Sequence, residues 1–157
     1  MEGFWNRDKS SRRGKEKTKD IRVIFFGAHQ RREEIPEWIE YYENPQRDVI
    51  RKLYNEAAIF MGTCYKEGWG LPVSEAMQCG CAVVCTDIDG YNEVAFNENT
   101  AMLSEAGKYM EMAENIIELL ENREKRYRIA LNGNKNIQKY KPEEAFKSFE
   151  KFLESIN

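Results

Sequence analysis

Short apolar runs alternate with longer amphipathic stretches along this 157-residue chain. The short runs have the length of buried strands, and the longer stretches repeat apolar residues at helical spacing. Asn44 followed by Pro45 predicts a helix start, and Gly80 predicts a helix end. The predicted strands are 21–26, 38–42, 57–61, 82–85 and 100–103. The predicted helices are 45–54 and 72–78, followed by three C-terminal helices with apolar faces at 110–120, 127–137 and 146–153.

Strands that alternate with helices predict an α/β fold, a Rossmann-like parallel sheet with helices on both faces. In such sheets ligands bind beyond the carboxyl ends of the strands. The loops 27–29, 62–71 and 86–93 follow three of the predicted strands. We therefore expect a polar ligand site at this edge of the sheet.

Length and charge narrow the function classes. The chain has the size of one domain, and its net charge of −3 lacks the basic footprint of a nucleic-acid partner. Residues 1–20 are basic and are interpreted as a poorly ordered N-terminal segment, ahead of a folded domain over 21–157. Contact of this segment with phosphate or anionic lipid is the alternative. No apolar run reaches the roughly 20 residues of a membrane span, and no signal peptide is recognisable.

Four cysteines lie close together in sequence but lack the paired spacing and nearby histidine of a zinc site. They are Cys64, Cys79, Cys81 and Cys85. Two of them flank a predicted strand, where a thiol acts as a small apolar side chain. We expect no metal site, and reduced cysteines favour a cytoplasmic location.

The most specific motif is EGWGLPVSEAMQCG, which begins at Glu67. Glu67 and Glu75 flank a Gly-rich loop and a Pro that can open a helix. A carboxylate accepts two hydroxyl groups at once, Gly68 and Gly70 allow close backbone approach, and a helix start attracts phosphate. Hydroxyls combined with phosphate are the chemistry of a nucleotide-sugar.

The segment EGWGLPVSEAMQCGCAVVCTDIDGYNE resembles the donor-binding signature of glycosyltransferase family 4, whose members have the GT-B fold. The similarity runs from about residue 21 to about residue 153 and covers only the C-terminal, nucleotide-sugar-binding domain of that fold. The resemblance implies a retaining transferase that uses an NDP-sugar as co-substrate and needs no metal or other cofactor. Its implied acceptor is a glycan or a lipid-linked molecule, in cell-surface polysaccharide or glycolipid synthesis at the inner membrane face. The N-terminal acceptor domain is then an expected partner, in cis or in trans.

The resemblance also assigns roles to matching residues. Glu67 is the candidate catalytic residue beside the donor sugar, where a carboxylate stabilises developing positive charge. Glu75 is expected in the first helical turn, binding ribose hydroxyls, with the helix dipole as its alternative partner. Trp69 is expected to offer its backbone N–H while its side chain anchors in the core. The donor-binding set is Gly68, Trp69, Gly70, Leu71, Glu75, Glu93, Arg12 and Lys17.

Three positions depart from the family pattern or match it incompletely. Asp89 stands where the family has a glycine, although Asp tolerates unusual φ angles better than most residues. Arg12 and Lys17 have the spacing of the family's diphosphate ligands, but too few residues follow them for the intervening helix. His29, the only histidine, follows a strand end and is expected at the surface.

Other interpretations stay open beside the transferase. A non-catalytic nucleotide-sugar-binding module, or a truncated half-enzyme inactive on its own, predicts nucleotide binding without turnover. A phosphorylase or epimerase on the same fold predicts sugar-phosphate binding without preference for a nucleoside. An inert fragment with an exposed interdomain face predicts aggregation or dimerisation through an apolar patch.

Overall fold

The computed structural model describes residues 2–6 and 21–156. Its strands are β1 Glu2–Asn6, β2 Val23–Gly27, β3 Glu40–Glu43, β4 Ala57–Gly62, β5 Ala82–Asp87 and β6 Met102–Glu105. Its α-helices are α1 Arg47–Glu56, α2 Leu71–Gln78, α3 Tyr109–Glu121, α4 Arg123–Ile137 and α5 Pro142–Ser155. Single turns of 3-10 helix lie at Asp89–Tyr91 and Gln138–Tyr140. Every predicted strand and helix therefore has a counterpart.

The strands form one sheet in the order β3-β2-β1-β4-β5-β6. The pairs β2–β3, β4–β5 and β5–β6 are parallel, as predicted, whereas β1 is antiparallel to both of its neighbours. Strand β1 was not predicted, because its five residues are too few to show a period and its partners are distant in sequence. It lies in the N-terminal segment that was expected to be poorly ordered, of which residues 1 and 7–20 lie outside the described part.

Helices cover both faces of the sheet, which confirms the predicted architecture. Strands β4 and β5 are apolar on both sides because successive side chains in a strand point to opposite faces. Phe60 and Val83 pack with α1 and α2, whereas Ile59 and Val84 pack with α3 and α4. All four side chains are fully buried, and each such burial stabilises the fold by roughly 1.5–3 kcal/mol. The two central strands consequently hold the loops that follow them in fixed positions.

Helix α1 begins later than the sequence predicts. Asn44 has a φ of 40° and its N–H donates to the Gly27 carbonyl at 2.7 Å, so it belongs to the turn after β3. The helix starts at Arg47, with Gln46 as its N-cap. The prediction that Asn44 caps the helix and Pro45 begins it is wrong, because the left-handed turn at Asn44 comes before the helical backbone.

Helix α2 ends where the sequence predicts, at Gly80. Gly80 has a φ of +80°, and its N–H donates to the Met77 carbonyl at 3.1 Å. The Cys81 N–H donates to the Ala76 carbonyl at 3.0 Å. These two bonds form a Schellman motif, which satisfies carbonyls at the helix end.

Helix α5 carries the apolar face that the sequence predicts, but this face is exposed in the described part of the chain. Phe146, Phe149 and Phe152 are 58–69% exposed, and Ile156 extends the same stripe. Within the described ranges, no helix combines the length and the apolar character needed to cross a bilayer. An exposed apolar stripe of this kind is typical of a surface that another body covers.

Candidate functional site

Two loops meet at the carboxyl edge of the sheet. Strands β4 and β5 pair in parallel, with Gly62 opposite Cys85, so the residues that follow them start side by side. Gly90 lies directly against the backbone of Glu67, since a Cβ placed on Gly90 would be 2.3 Å from the Glu67 carbonyl oxygen. The loop that carries Glu67 is therefore in contact with the 3-10 turn after β5.

Gly70 makes a second contact between the same two loops. Its φ is +70°, and an added Cβ would lie 2.2 Å from the Tyr91 ring. Tyr91 is buried, so the ring has little room to move away. Gly70 is also the N-cap residue of α2. The fold itself thus requires glycine at this position, and the contact fixes where α2 begins.

Gly68 differs from Gly70 both in its φ angle and in the space available for a side chain. It is exposed, its φ is not in the left-handed region, and an added Cβ would meet nothing within 4 Å. Neither backbone conformation nor packing within the described residues explains a glycine here. The backbone of Gly68 is open to an approaching ligand.

The Glu67 carboxylate is held by a thiol. The Cys64 Sγ–H donates to Glu67 Oε1 at 3.2 Å, and both side chains are half-buried. The Cys64 carbonyl in turn accepts a hydrogen bond from the Thr86 hydroxyl at 2.5 Å, which ties the loop to β5. The contact between Cys64 and Glu67 is not visible in the sequence, because nothing in an irregular loop indicates which side chains face one another.

Glu75 lies on α2, but not where the sequence analysis expects it. Because α2 begins at Leu71, Glu75 falls in the second turn, and the predicted place in the first turn is wrong. The Tyr54 hydroxyl donates to Glu75 Oε2 at 3.2 Å across from α1. Glu75 is otherwise exposed, so its carboxylate remains accessible to a hydroxyl-bearing ligand.

The start of α2 has no side-chain cap, because its N-cap residue is Gly70. Backbone N–H groups of a first helical turn lack partners within the helix. Together with the helix dipole, such groups attract anions. Pro72, at the beginning of α2, has no N–H of its own but fits this first turn. This helix start therefore favours an anionic group, such as a phosphate, at the first turn of α2.

Trp69 forms one wall of the site together with a distant residue. Its ring packs edge-on against Tyr140, with centroids 5.0 Å apart, and its half-buried side chain also contacts the core. The Tyr140 hydroxyl donates to the Glu93 carbonyl at 3.0 Å. The pKa of Tyr140 is raised, mainly by burial and to a smaller extent by the nearby Glu93 carboxylate. Glu93 therefore contacts the Tyr140 side of this wall. Tyr140 was missed because 71 positions separate it from Trp69.

A cavity of about 590 Å³ opens beside this wall. Trp69, Leu71, Glu75 and Tyr140 line it, and α5 closes its far side. Ser74 also lines it, and its buried hydroxyl has no hydrogen-bond partner among the described residues. The volume lies in the range of small-molecule sites in proteins.

The remaining candidates are placed as follows. Arg12 and Lys17 lie outside the described residues. Asp89 opens the 3-10 turn without a left-handed φ, so the replacement of the family's glycine needs no unusual backbone. His29 is exposed, as expected, and its carbonyl accepts a hydrogen bond from the Tyr41 hydroxyl at 2.6 Å.

The sequence matches a known protein family. The model for "Glycosyl transferases group 1" matches residues 9–136. An uncharacterized glycosyltransferase of Methanocaldococcus jannaschii is 28% identical over 114 residues, which cover 68% of this chain and 32% of the relative. N,N'-diacetylbacillosaminyl-diphospho-undecaprenol alpha-1,3-N-acetylgalactosaminyltransferase of Campylobacter jejuni is 30% identical over 100 residues, or 64% of this chain and 26% of the relative. The chain thus spans about a third or less of these relatives.

Solved structures show the same fold. The C-terminal domain of a glycosyl transferase group 1 family protein from Francisella tularensis matches with a TM-score of 0.63 and 28% identity, over 69% of this chain and 56% of that one. Anabaena HepE in complex with UDP-glucose matches with a TM-score of 0.67 and 22% identity, over 77% of this chain and 33% of that one.

Proposed function

Since the chain belongs to the glycosyl transferases group 1 family, we propose that it is the nucleotide-sugar-binding domain of a retaining glycosyltransferase of family 4. In this proposal it corresponds to the C-terminal domain of the GT-B fold. One observation carries the proposal: a helix start without a side-chain cap lies between two carboxylates in the sequence, with Glu67 ahead of it and Glu75 in its second turn. The complex of HepE with UDP-glucose supports a nucleotide-sugar as the ligand class.

Each part of the donor has a matching group in this arrangement. The accessible carboxylate of Glu75 binds ribose hydroxyls, and the Tyr54 hydroxyl orients it. The backbone N–H groups at Gly70 and Leu71 bind the diphosphate at the start of α2. Glu67 faces the sugar, where its charge stabilises an oxocarbenium-like transition state. The open backbone of Gly68 lets the sugar approach this carboxylate.

The proposal extends to the rest of the enzyme. The acceptor is a glycan or a lipid-linked molecule, in keeping with the undecaprenol-linked acceptor in the name of the Campylobacter jejuni relative. An N-terminal acceptor domain, in cis or in trans, completes the site and covers the exposed stripe of α5. We place the enzyme in the cytoplasm or at the inner membrane face, and propose that transfer needs no metal.

A thermal-shift panel tests donor binding. UDP, GDP, ADP, TDP and their sugars are added in turn, because a ligand that binds only the native state raises the unfolding temperature. We expect one nucleoside to be preferred and its shift to vanish in Glu75→Ala. The matched control is Glu121→Ala, which removes an exposed glutamate at the end of α3 and should keep the shift. An absent shift for every nucleotide, in a wild-type protein that melts cooperatively, would contradict the proposal.

A turnover assay separates the enzyme from its alternatives. The preferred NDP-sugar is incubated with glycan and lipid-linked acceptors, with and without EDTA, and release of the nucleoside diphosphate is measured. Unchanged turnover in EDTA and an unchanged anomeric configuration by NMR are the expected results. Binding without turnover, even when an N-terminal domain is supplied in trans, would favour a non-catalytic module. Binding of sugar phosphates without a nucleoside preference would favour a phosphorylase or epimerase.

A further inference from the structure

Two hydrogen bonds hold Cys64 beside Glu67. Its carbonyl accepts from the Thr86 hydroxyl, and its thiol donates to Glu67 Oε1 at 3.2 Å. The thiol and the carbonyl of Cys64 therefore have separate partners, and the thiol bond ends on the Glu67 carboxylate.

The backbone of Glu67 is fixed as well. Gly90 lies against its carbonyl at a distance that leaves no room for a side chain. With the main chain held on one side and Oε1 held by Cys64, the carboxylate has little rotational freedom. Its second oxygen is the one left to face a ligand.

A thiol suits this task because it is a weak hydrogen-bond donor. A Lys or Arg partner would neutralise the negative charge that a carboxylate needs in order to stabilise an oxocarbenium-like state. A thiol orients the same carboxylate and withdraws little of its charge. The Cys64 position thus combines orientation with retained negative charge.

We propose that Cys64 is a positioning residue, which orients the Glu67 carboxylate toward the donor sugar through its thiol hydrogen bond to Oε1. This inference rests on the proposed function and adds a residue to it. Cys64 acts through Glu67 and makes no contact of its own with the sugar. Its loss therefore weakens recognition of the sugar and leaves recognition of the nucleotide unchanged.

The contact itself is testable without any ligand. Wild type and Glu67→Gln are alkylated with iodoacetamide, and each cysteine is followed by peptide mass spectrometry. Removing the negative charge beside Cys64 favours the reactive thiolate, so its alkylation should accelerate about fivefold in Glu67→Gln. Cys79, half-buried beside α1, is the internal control and should keep its rate. An unchanged Cys64 rate would overturn the proposed contact.

The sugar role is tested by the affinities for UDP-glucose and UDP, or for the nucleotide pair that the thermal-shift panel selects. In Cys64→Ala the affinity for UDP-glucose should fall about fivefold, while the affinity for UDP stays within twofold of wild type. Cys64→Ser retains a donor and should restore most of the loss. Equal losses for both ligands, or an Ala variant that matches the Ser variant, would overturn the role of Cys64 alone. A wild-type protein that binds neither ligand would overturn the proposed function and the sugar role with it.

Discussion

Four glycines around α2 differ in two independent properties, the φ angle and the space for a side chain. Gly70 has a left-handed φ and a close neighbour, whereas Gly68 has neither. Gly80 has the left-handed φ in open space, and Gly90 has the close neighbour without the left-handed φ. One Gly-rich motif therefore contains glycines that the fold requires and a glycine that the fold does not require. Alanine at each position measures these contributions separately.

Gly70→Ala should have the largest effect on stability. The left-handed φ costs about 1–2 kcal/mol for a residue with a Cβ, and displacing the buried Tyr91 ring costs about 1–3 kcal/mol more. We expect the free energy of unfolding to fall by about 3–4 kcal/mol, measured by urea denaturation. Gly70→Ala combined with Tyr91→Ala should lose less than the sum of the two single changes, and simple additivity would argue against the contact.

Gly90→Ala should have the second largest effect on stability. Its new methyl group meets the Glu67 carbonyl, a backbone atom that cannot rotate away, at a cost of about 2–3 kcal/mol. The same displacement should reduce donor binding, because it moves Glu67. Denaturation and nucleotide titration of one preparation measure both effects. A loss of stability with unchanged affinity for the nucleotide-sugar would show that Glu67 is remote from the donor.

Gly80→Ala should have a smaller effect, confined to stability. The Cβ enters open space, so only the left-handed φ is penalised, by about 1 kcal/mol. Gly80→Asn is the matched control, since Asn tolerates this conformation better and should lose less. Thermal melts of the two variants give the comparison, and equal losses would mean that the φ angle is not the cause.

Gly68→Ala should leave stability within about 0.5 kcal/mol of wild type, because the added Cβ meets nothing and the φ is ordinary. In the proposed donor site the methyl group occupies space through which the donor approaches, so nucleotide-sugar binding should nevertheless weaken. Isothermal titration of Gly68→Ala beside wild type tests this. Full affinity in the variant would remove Gly68 from the donor site.

Much of the fold follows from local patterns. Buried strands such as β4 and β5 are continuous apolar runs, and the end of α2 is predicted by Gly80 itself. Strand β1 is different, because it pairs with β2 and β4, which are distant in sequence, and its five residues are too few to show a period. The predicted start of α1 was wrong for a related reason. Asn44 donates a hydrogen bond to the Gly27 carbonyl, which is distant in sequence, and this bond places Asn44 in a turn ahead of the helix.

The site was predictable only in part. The motif indicated Glu67 and Glu75 as candidates for ligand binding, because their chemistry and spacing are visible in the sequence. It did not indicate what holds them, since Cys64 and Tyr54 act through side-chain geometry that only folding creates. Gly68 and Gly70 looked equivalent in sequence, and only their surroundings distinguish them.

The contact between Gly90 and the Glu67 backbone has a consequence for protein engineering. The two positions lie on separate loops, yet each loop must fit the other here, since a Cβ at position 90 would meet the Glu67 carbonyl. A chimaera that imports only the segment after β4 from a relative inherits a backbone path fitted to a different neighbour. Transplanting donor preference into this scaffold should therefore succeed when the segments after β4 and β5 are moved together as one cassette.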